Sequence, residues 1–291
     1  KHINMKLEIR NVSKKYGKDK FGLNDYSLDV TSGILGLLGP NGAGKSTLIK
    51  IISSISKPTS GTIHLNEEDI IKNPNVIRKI LGYLPQDFGV YPNLNAYEFL
   101  KYIGAMKGLG GPGLHQKIEH LLEGVNLIES AKHPLKTYSG GMLQRIGIVQ
   151  ALLNEPKVLI FDEPTVGLDP EERLRFRDLL SDLSSDRIVI LSSHIVSDIE
   201  SIADEVAIMK NGRLITKDSQ ENIINLAKDK VYETIVDKTD IKRFKTDYNV
   251  VSSHRLKDGF KVRYLSGEPS NNSQPVAATL EDAYIYTTKN Q

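Results

Sequence analysis

From Met5 to about residue 211, short apolar runs of strand length alternate with stretches whose apolar residues recur at helical spacing. That alternation predicts an α/β domain built on a mostly parallel sheet. The runs 33–38, 158–161 and 188–191 are almost wholly apolar, as strands covered on both faces must be, and are the expected central strands. Between Tyr91 and about Leu135 the strand signal stops. There Phe99, Leu100, Ile103 and Met106, then Ile118, Leu121, Leu122 and Val125, fall on helix faces. An inserted helical subdomain is expected at about 91–150, its two helices separated by a mobile Gly-rich loop at 108–113.

After Leu214 the pattern changes. A helix near 220–228, short alternating strands near 231–236 and 260–264, a polar loop at 267–275 and a last helix from Thr279 to about Tyr286 predict a small α+β appendage. Thr279 is a good N-cap, with Asp282 three residues on. The expected domains are therefore 5–214 and 215–291.

Composition narrows the function classes. The 291 residues hold 38 Lys and Arg against 36 Asp and Glu, a net charge of +2, so nothing suggests a surface built to neutralise nucleic-acid phosphates. Cys is absent, which removes disulfides, Cys-based zinc sites and thiol catalysis together. No apolar run approaches the ~20 residues that cross a bilayer, and the N-terminus carries no export signal, so a soluble cytoplasmic chain is expected. Lys1 to Asn4 precede the first Met, Met5; they read as a non-native leader, or else the chain is an internal fragment of a longer one.

The chemistry begins at Gly39-Pro40-Asn41-Gly42-Ala43-Gly44-Lys45-Ser46-Thr47, between an apolar strand and the helical stretch 48–52. Glycines at this spacing let backbone N–H groups curl inward, and a helix N-terminus adds partial positive charge, so this P-loop can hold a polyphosphate. Lys45 is placed to reach the β and γ phosphates of ATP, and the Ser46 hydroxyl to take a position on Mg²⁺. The strand 158–161 ends in Asp162 and Glu163. Alone, such a pair is more often a helix cap or a solvated turn. Beside a P-loop it predicts division of labour, because strand side chains alternate: Asp162 toward the metal, Glu163 toward the attacking water. His194 follows the strand 188–191 and is expected on the same sheet edge, where it can sense the γ-phosphate.

Tyr138-Ser139-Gly140-Gly141-Met142-Leu143-Gln144-Arg145 resembles the signature motif of ABC ATPases, in that family's order between P-loop and acidic strand. A Ser and two glycines opening a helix also make sense as a second anion site. The resemblance covers roughly 5–214 and implies a P-loop NTPase of the ABC type. It implies that Gln86 links the Mg²⁺ site to a membrane partner, that Asp169 in Gly167-Leu168-Asp169 joins two subunits, and that Tyr16 stacks on adenine. It also implies ATP and Mg²⁺ as cofactors and an ATP-dependent dimer, homodimeric or with a second ATPase subunit. Its partner is then an integral membrane permease, with the chain peripheral on the inner face of the membrane. The signature departs from the commonest form in having Tyr138 and Met142 for Leu and Gln. Together with Thr279-Leu280-Glu281-Asp282-Ala283-Tyr284 it resembles exporters of drugs, antimicrobial peptides or polysaccharides. The alternatives are an importer's ATPase or a non-transport ABC ATPase acting on nucleic acid or ribosomes.

Overall fold

Valine, isoleucine, leucine and phenylalanine fill the innermost strands because both faces of these strands are covered. Every residue of Val158–Asp162 (β7) and Ile188–Ser193 (β8) is buried. The computed structural model describes residues 5–17 and 20–289; Lys1 to Asn4, expected as a non-native leader or part of a longer chain, lie outside them. The other strands, in chain order, are Lys6–Lys15 (β1), Phe21–Thr31 (β2), Gly33–Leu38 (β3), Ser60–Leu65 (β4), Glu68–Asp69 (β5), Leu81–Leu84 (β6), Glu205–Lys210 (β9) and Arg213–Ser219 (β10).

A six-stranded sheet runs β10-β9-β3-β8-β7-β6. The pairs β9/β3, β3/β8, β8/β7 and β7/β6 are parallel. In that register Leu38 faces Ser193 and Asp162 faces Ser192, so three strands deliver their next residues to one edge of the sheet. Ligands of open α/β sheets bind at that carboxyl edge. Helix α1 (Lys45–Ile52) leaves from the end of β3 and buries Leu48, Ile49, Ile51 and Ile52.

The sequence reading did not separate out a second, antiparallel sheet, ordered β2-β1-β4-β5. Its alternating residues Leu7, Ile9, Leu23 and Tyr26 share one core with Leu35 and Leu37 of β3 and with α1. The alternation is blurred because the β1/β2 pairing shifts register in several places, around left-handed residues such as Asn11 at φ 49° and Asp25 at φ 53°.

The short α2 (Asn75–Arg78) precedes β6, and the helical segment consists of α3 (Ala96–Met106), α4 (Pro112–Gly124) and α5 (Gly140–Leu152). Asn95 and Glu98 close a reciprocal capping box at the start of α3, a signal the sequence reading passed over. The separating loop is shorter than the expected 108–113, because Pro112 occupies the first turn of α4, where its fixed φ suits the helix. Then come α6 (Pro170–Leu183) and α7 (Val196–Glu200).

The chain divides into two compact units after Leu214, within β10. In the second, Gln220–Asn225 (α8), Ile241–Asp247 (α9) and Leu280–Lys289 (α10) accompany a sheet of Val231–Asp237 (β11), Asn249–Arg255 (β12), Gly259–Leu265 (β13) and Gln274–Pro275 (β14), ordered β12-β13-β11-β14. Sequence pattern gave two of these strands and missed β12, the short β14 inside the expected polar loop, and α9. Phe244, Tyr248 and Tyr264 form its aromatic centre, with ring centroids 4.5 to 5.0 Å apart. Asp282 is fully buried but paired: Arg263 donates to it from Nε and Nη2, and Thr279 donates from its backbone N–H and its hydroxyl.

Candidate functional site

The turn between β3 and α1 is feasible only with glycine at particular points. Gly44 has φ +106°, and a Cβ there would stand 2.3 Å from the Gly22 carbonyl oxygen. A Cβ on Gly39 would stand 2.5 Å from the Met209 carbonyl oxygen. The chain folds tightly over itself, with Ala43 N–H donating to Pro40 O, and α1 starts with no side-chain cap on its N-terminus. Free first-turn amides of this kind make an anion site.

An open cleft of about 800 Å³ sits on this turn. Its walls bring together the predicted Tyr16, residues 41–47, Gln86 and Glu163. Gly39 and Pro40 form the base of the turn through the bonds just described. Tyr16 is 54% exposed at the cleft wall, its hydroxyl 3.3 Å from Thr47 Oγ1 and its ring centroid 5.6 Å from Lys14 Nζ. Lys20, Phe21, Gly22 and Lys50 also line the cleft. Sequence reasoning missed them because Lys20 to Gly22 reach the site only when β2 returns beside β1, where Tyr16 N–H donates to Lys20 O.

Lys45 is buried, and its Nζ donates to Gly39 O at 2.7 Å and stands 3.8 Å from Glu163 Oε1. Burial pushes its ammonium below the usual lysine range, partly offset by the carboxylates of Glu163 and Asp162. A poorly solvated cation among phosphate-ready amides is poised for an incoming polyanion. Lys45→Ala is expected to lower nucleotide affinity by about 10- to 100-fold, the range for a lost charged hydrogen bond, in a fluorescent-nucleotide titration. Undiminished affinity would remove Lys45 from the phosphate site.

Asp162 and Glu163 are separated as expected, but for a different reason. Asp162 ends β7 and accepts the Ser192 hydroxyl at 2.6 Å. Glu163 is not a strand residue: its φ of +56° swings it out of the alternation, while its N–H donates to Ser192. The backbone turn, rather than the pleat, aims it across the sheet edge. Glu163 Oε2 meets His194 Nδ1 at 2.5 Å. Among Ser46, Asp162 and Gln86 the available donors are all oxygens, the set that Mg²⁺ prefers. Among the described residues no group of three or more His, Cys, Asp and Glu could hold a metal ion.

Ser139, Gly140, Gly141 and Asp169 do not line the cleft. Ser139 caps α5 by accepting Met142 N–H, and Asp169 caps α6 by accepting Glu172 N–H. These two helix starts are neighbours: Arg145 pairs with Glu172 at 2.5 Å, and a Cβ on Gly141 would lie 2.9 Å from Gly167 O. A Cβ on Gly140 would meet nothing within 4 Å. Tyr138 donates its hydroxyl to Ser130 O at 2.7 Å, giving the unusual first signature residue a packing role. Gln144 donates to Pro164 O at 3.1 Å and so ties α5 to the segment after Glu163.

Sheet, turn and cleft define a P-loop nucleotide-binding fold. The family model described as ABC transporter matches residues 23–166. The lantibiotic transport ATP-binding protein SrtF of Streptococcus pyogenes is 37% identical over 225 residues, which cover 76% of this chain and 95% of that one. The Nod factor export ATP-binding protein I of Burkholderia lata is 34% identical over 220 residues, 75% of this chain and 72% of that one. Among solved structures, the dimeric bacterial ABC transporter cassette MJ0796 superposes with a TM-score of 0.68 at 25% identity, covering 73% of this chain and 98% of that one. The same cassette is also known as a dimer in a post-hydrolysis state bound to ADP and Pi. The chain belongs to the ABC transporter ATP-binding family. It is an ATPase subunit, and among the described residues no helix is long and apolar enough to cross a membrane.

Proposed function

We propose that this chain powers a membrane exporter as one of two cassettes that close on ATP, each completing the other's site. The observation that carries the reading is that Ser139, Gly140, Gly141 and Asp169 line no part of their own chain's nucleotide cleft, with Ser139, Gly140 and Asp169 exposed. The neutral start of α5 at Ser139, with no ligand-facing role inside the chain, suits the γ-phosphate of ATP bound on a second one, while the acidic start of α6 at Asp169 suits contact with that chain's protein groups. Export is supported by the relatives named for lantibiotic transport and Nod factor export.

In this account Tyr16 stacks on adenine, while the amides of 39–47 and Lys45 hold the phosphates. Glu163 accepts the proton of the attacking water, and His194, hydrogen-bonded to Glu163, steadies that carboxylate beside the γ-phosphate. Ser46, Asp162 and Gln86 hold Mg²⁺, which supplies charge neutralisation on the phosphates when bound. Ser139 and Gly141 of the second copy add donors to the charge that develops there. The domain 5–214 is the motor and 215–291 an accessory domain. A permease subunit receives the closure through the helical segment and Gln86, which places the chain on the inner face of the membrane. Nucleic acid is not a partner on this reading, given the net charge of +2.

A site completed by a second copy makes turnover depend on protein concentration. Specific ATPase activity of the purified chain is expected to rise with concentration at saturating ATP until the dimer is fully populated. A specific activity that stays flat through a dilution series, with the protein monomeric throughout, would contradict the shared site.

A further inference from the structure

Asp198 is a buried carboxylate that lines no part of the nucleotide cleft. Its two oxygens are used separately. Thr165 donates its hydroxyl to Oδ2 at 2.6 Å, and Arg173 Nη1 donates to Oδ1 at 3.0 Å. Arg173 Nε also donates to Leu168 O at 3.2 Å. All these partners belong to one stretch of chain. Thr165 follows Glu163 by two residues, Leu168 immediately precedes Asp169, and Arg173 lies in the first turns of α6, which Asp169 caps. Asp198 itself stands on α7, just behind His194.

Apart from Gln144 Nε2 on Pro164 O, the loop between Glu163 and Asp169 is held by few side-chain bonds. Its own turn bonds, Val166 N–H to Glu163 O and Leu168 N–H to Thr165 O, are long at 3.4 and 3.2 Å, and Gly167 has φ +81°. One carboxylate therefore anchors both ends of this loop to the helix that follows His194. The Arg173 side requires an acceptor and favours a charged one. An Asn that turns its oxygen to Arg173 loses the charge and reverses the Thr165 bond, and one turned the other way sets its NH₂ against the guanidinium, donor to donor.

We infer that Asp198 is a positioning residue of the ATPase cycle, holding the Glu163–His194 pair and the Asp169 loop in one fixed relation so that pairing of two chains and alignment of the base occur together. The inference rests on the shared two-chain site proposed above. A carboxylate with this role acts on turnover and leaves nucleotide capture by the single chain alone, since the phosphate turn touches none of its partners.

The test uses the full chain with Asp198→Asn and Asp198→Glu. For Asp198→Asn, nucleotide affinity is expected to stay within about twofold while kcat falls by about 10- to 100-fold, as for a misplacement remote from the chemistry. Asp198→Glu keeps both acceptors and should recover part of the loss. Adding Asp198→Asn to a chain that already carries Asp169→Ala should cost less than it does alone, because both changes act through one loop. A parental kcat in Asp198→Asn overturns the inference. So does loss of affinity and kcat together with no recovery by Asp198→Glu, which marks a merely structural residue. Should Asp198→Asn fail to fold, Thr165→Val removes one of the two bonds without stranding a charge, and an unchanged kcat there overturns it equally. A parent whose specific activity ignores concentration fails the two-chain reading and takes the pairing role of Asp198 with it. A concentration-dependent parent with an unaffected Asp198→Asn variant sinks this inference alone.

Discussion

Glu163→Gln is expected to bind ATP as the parent does and to lose turnover by about 10²- to 10⁴-fold, the range for removal of a general base. The substitution keeps the size and most of the hydrogen-bonding shape of the side chain, but an amide cannot take a proton from water. Glu163 is well placed for that role: it is buried, 3.8 Å from Lys45 through one oxygen and 2.5 Å from His194 through the other. The left-handed backbone at Glu163 holds the carboxylate off the strand axis and toward the phosphate turn. Steady-state phosphate release measures the effect directly. A variant that hydrolyses ATP at the parental rate would remove Glu163 as the base and leave the water to another group.

Ser139→Arg should also leave binding on the single chain intact and lose turnover, but by abolishing productive pairing. Ser139 does not line its own cleft, so a long cation there has no route to the nucleotide bound by the same chain. On the face proposed to meet a second cassette it removes a hydroxyl donor and adds bulk where Gly140 leaves open space. Turnover is expected to fall by about 10²-fold or more, comparable to losing one preorganised donor at a developing charge. Part of any stability change comes from the lost N-cap on Met142, about 1 kcal/mol. Ser139→Ala separates the two effects, since it loses the cap without adding bulk. Nucleotide titration together with sizing in ATP reads both outcomes. A Ser139→Arg chain that pairs and turns over normally would contradict the shared site.

Much of the nucleotide cleft was legible because it is local in sequence. One strand, one turn and one helix hold residues 39–47, and the apolar runs of β7 and β8 point to Glu163 and His194 at their ends. The parallel register then brings these ends together without further information. What stayed hidden is tertiary. Lys20, Phe21 and Gly22 enter the cleft only through the β1/β2 return, whose register shifts blur the alternation that would reveal it. Asp198, Thr165 and Arg173 look like ordinary polar residues on a helix and its flanks, and their meeting spans 25 and 33 positions in sequence. In the second unit, β12 carries Ser252, Ser253, His254 and Arg255 on an edge strand, and that polar run conceals it from a hydrophobic pattern. The short α9 depends on Phe244 and Tyr248 packing against Tyr264 rather than on helix propensity.

The central claim is that two chains share each ATP. The most direct test is the solution mass of Glu163→Gln with and without ATP and Mg²⁺, because blocked hydrolysis should trap the closed state. The account predicts a monomer without nucleotide and a doubling of mass with it, reversed when Ser139→Arg is added. A mass that stays monomeric although ATP is bound at full occupancy would contradict pairing of identical chains and direct attention to a different second cassette.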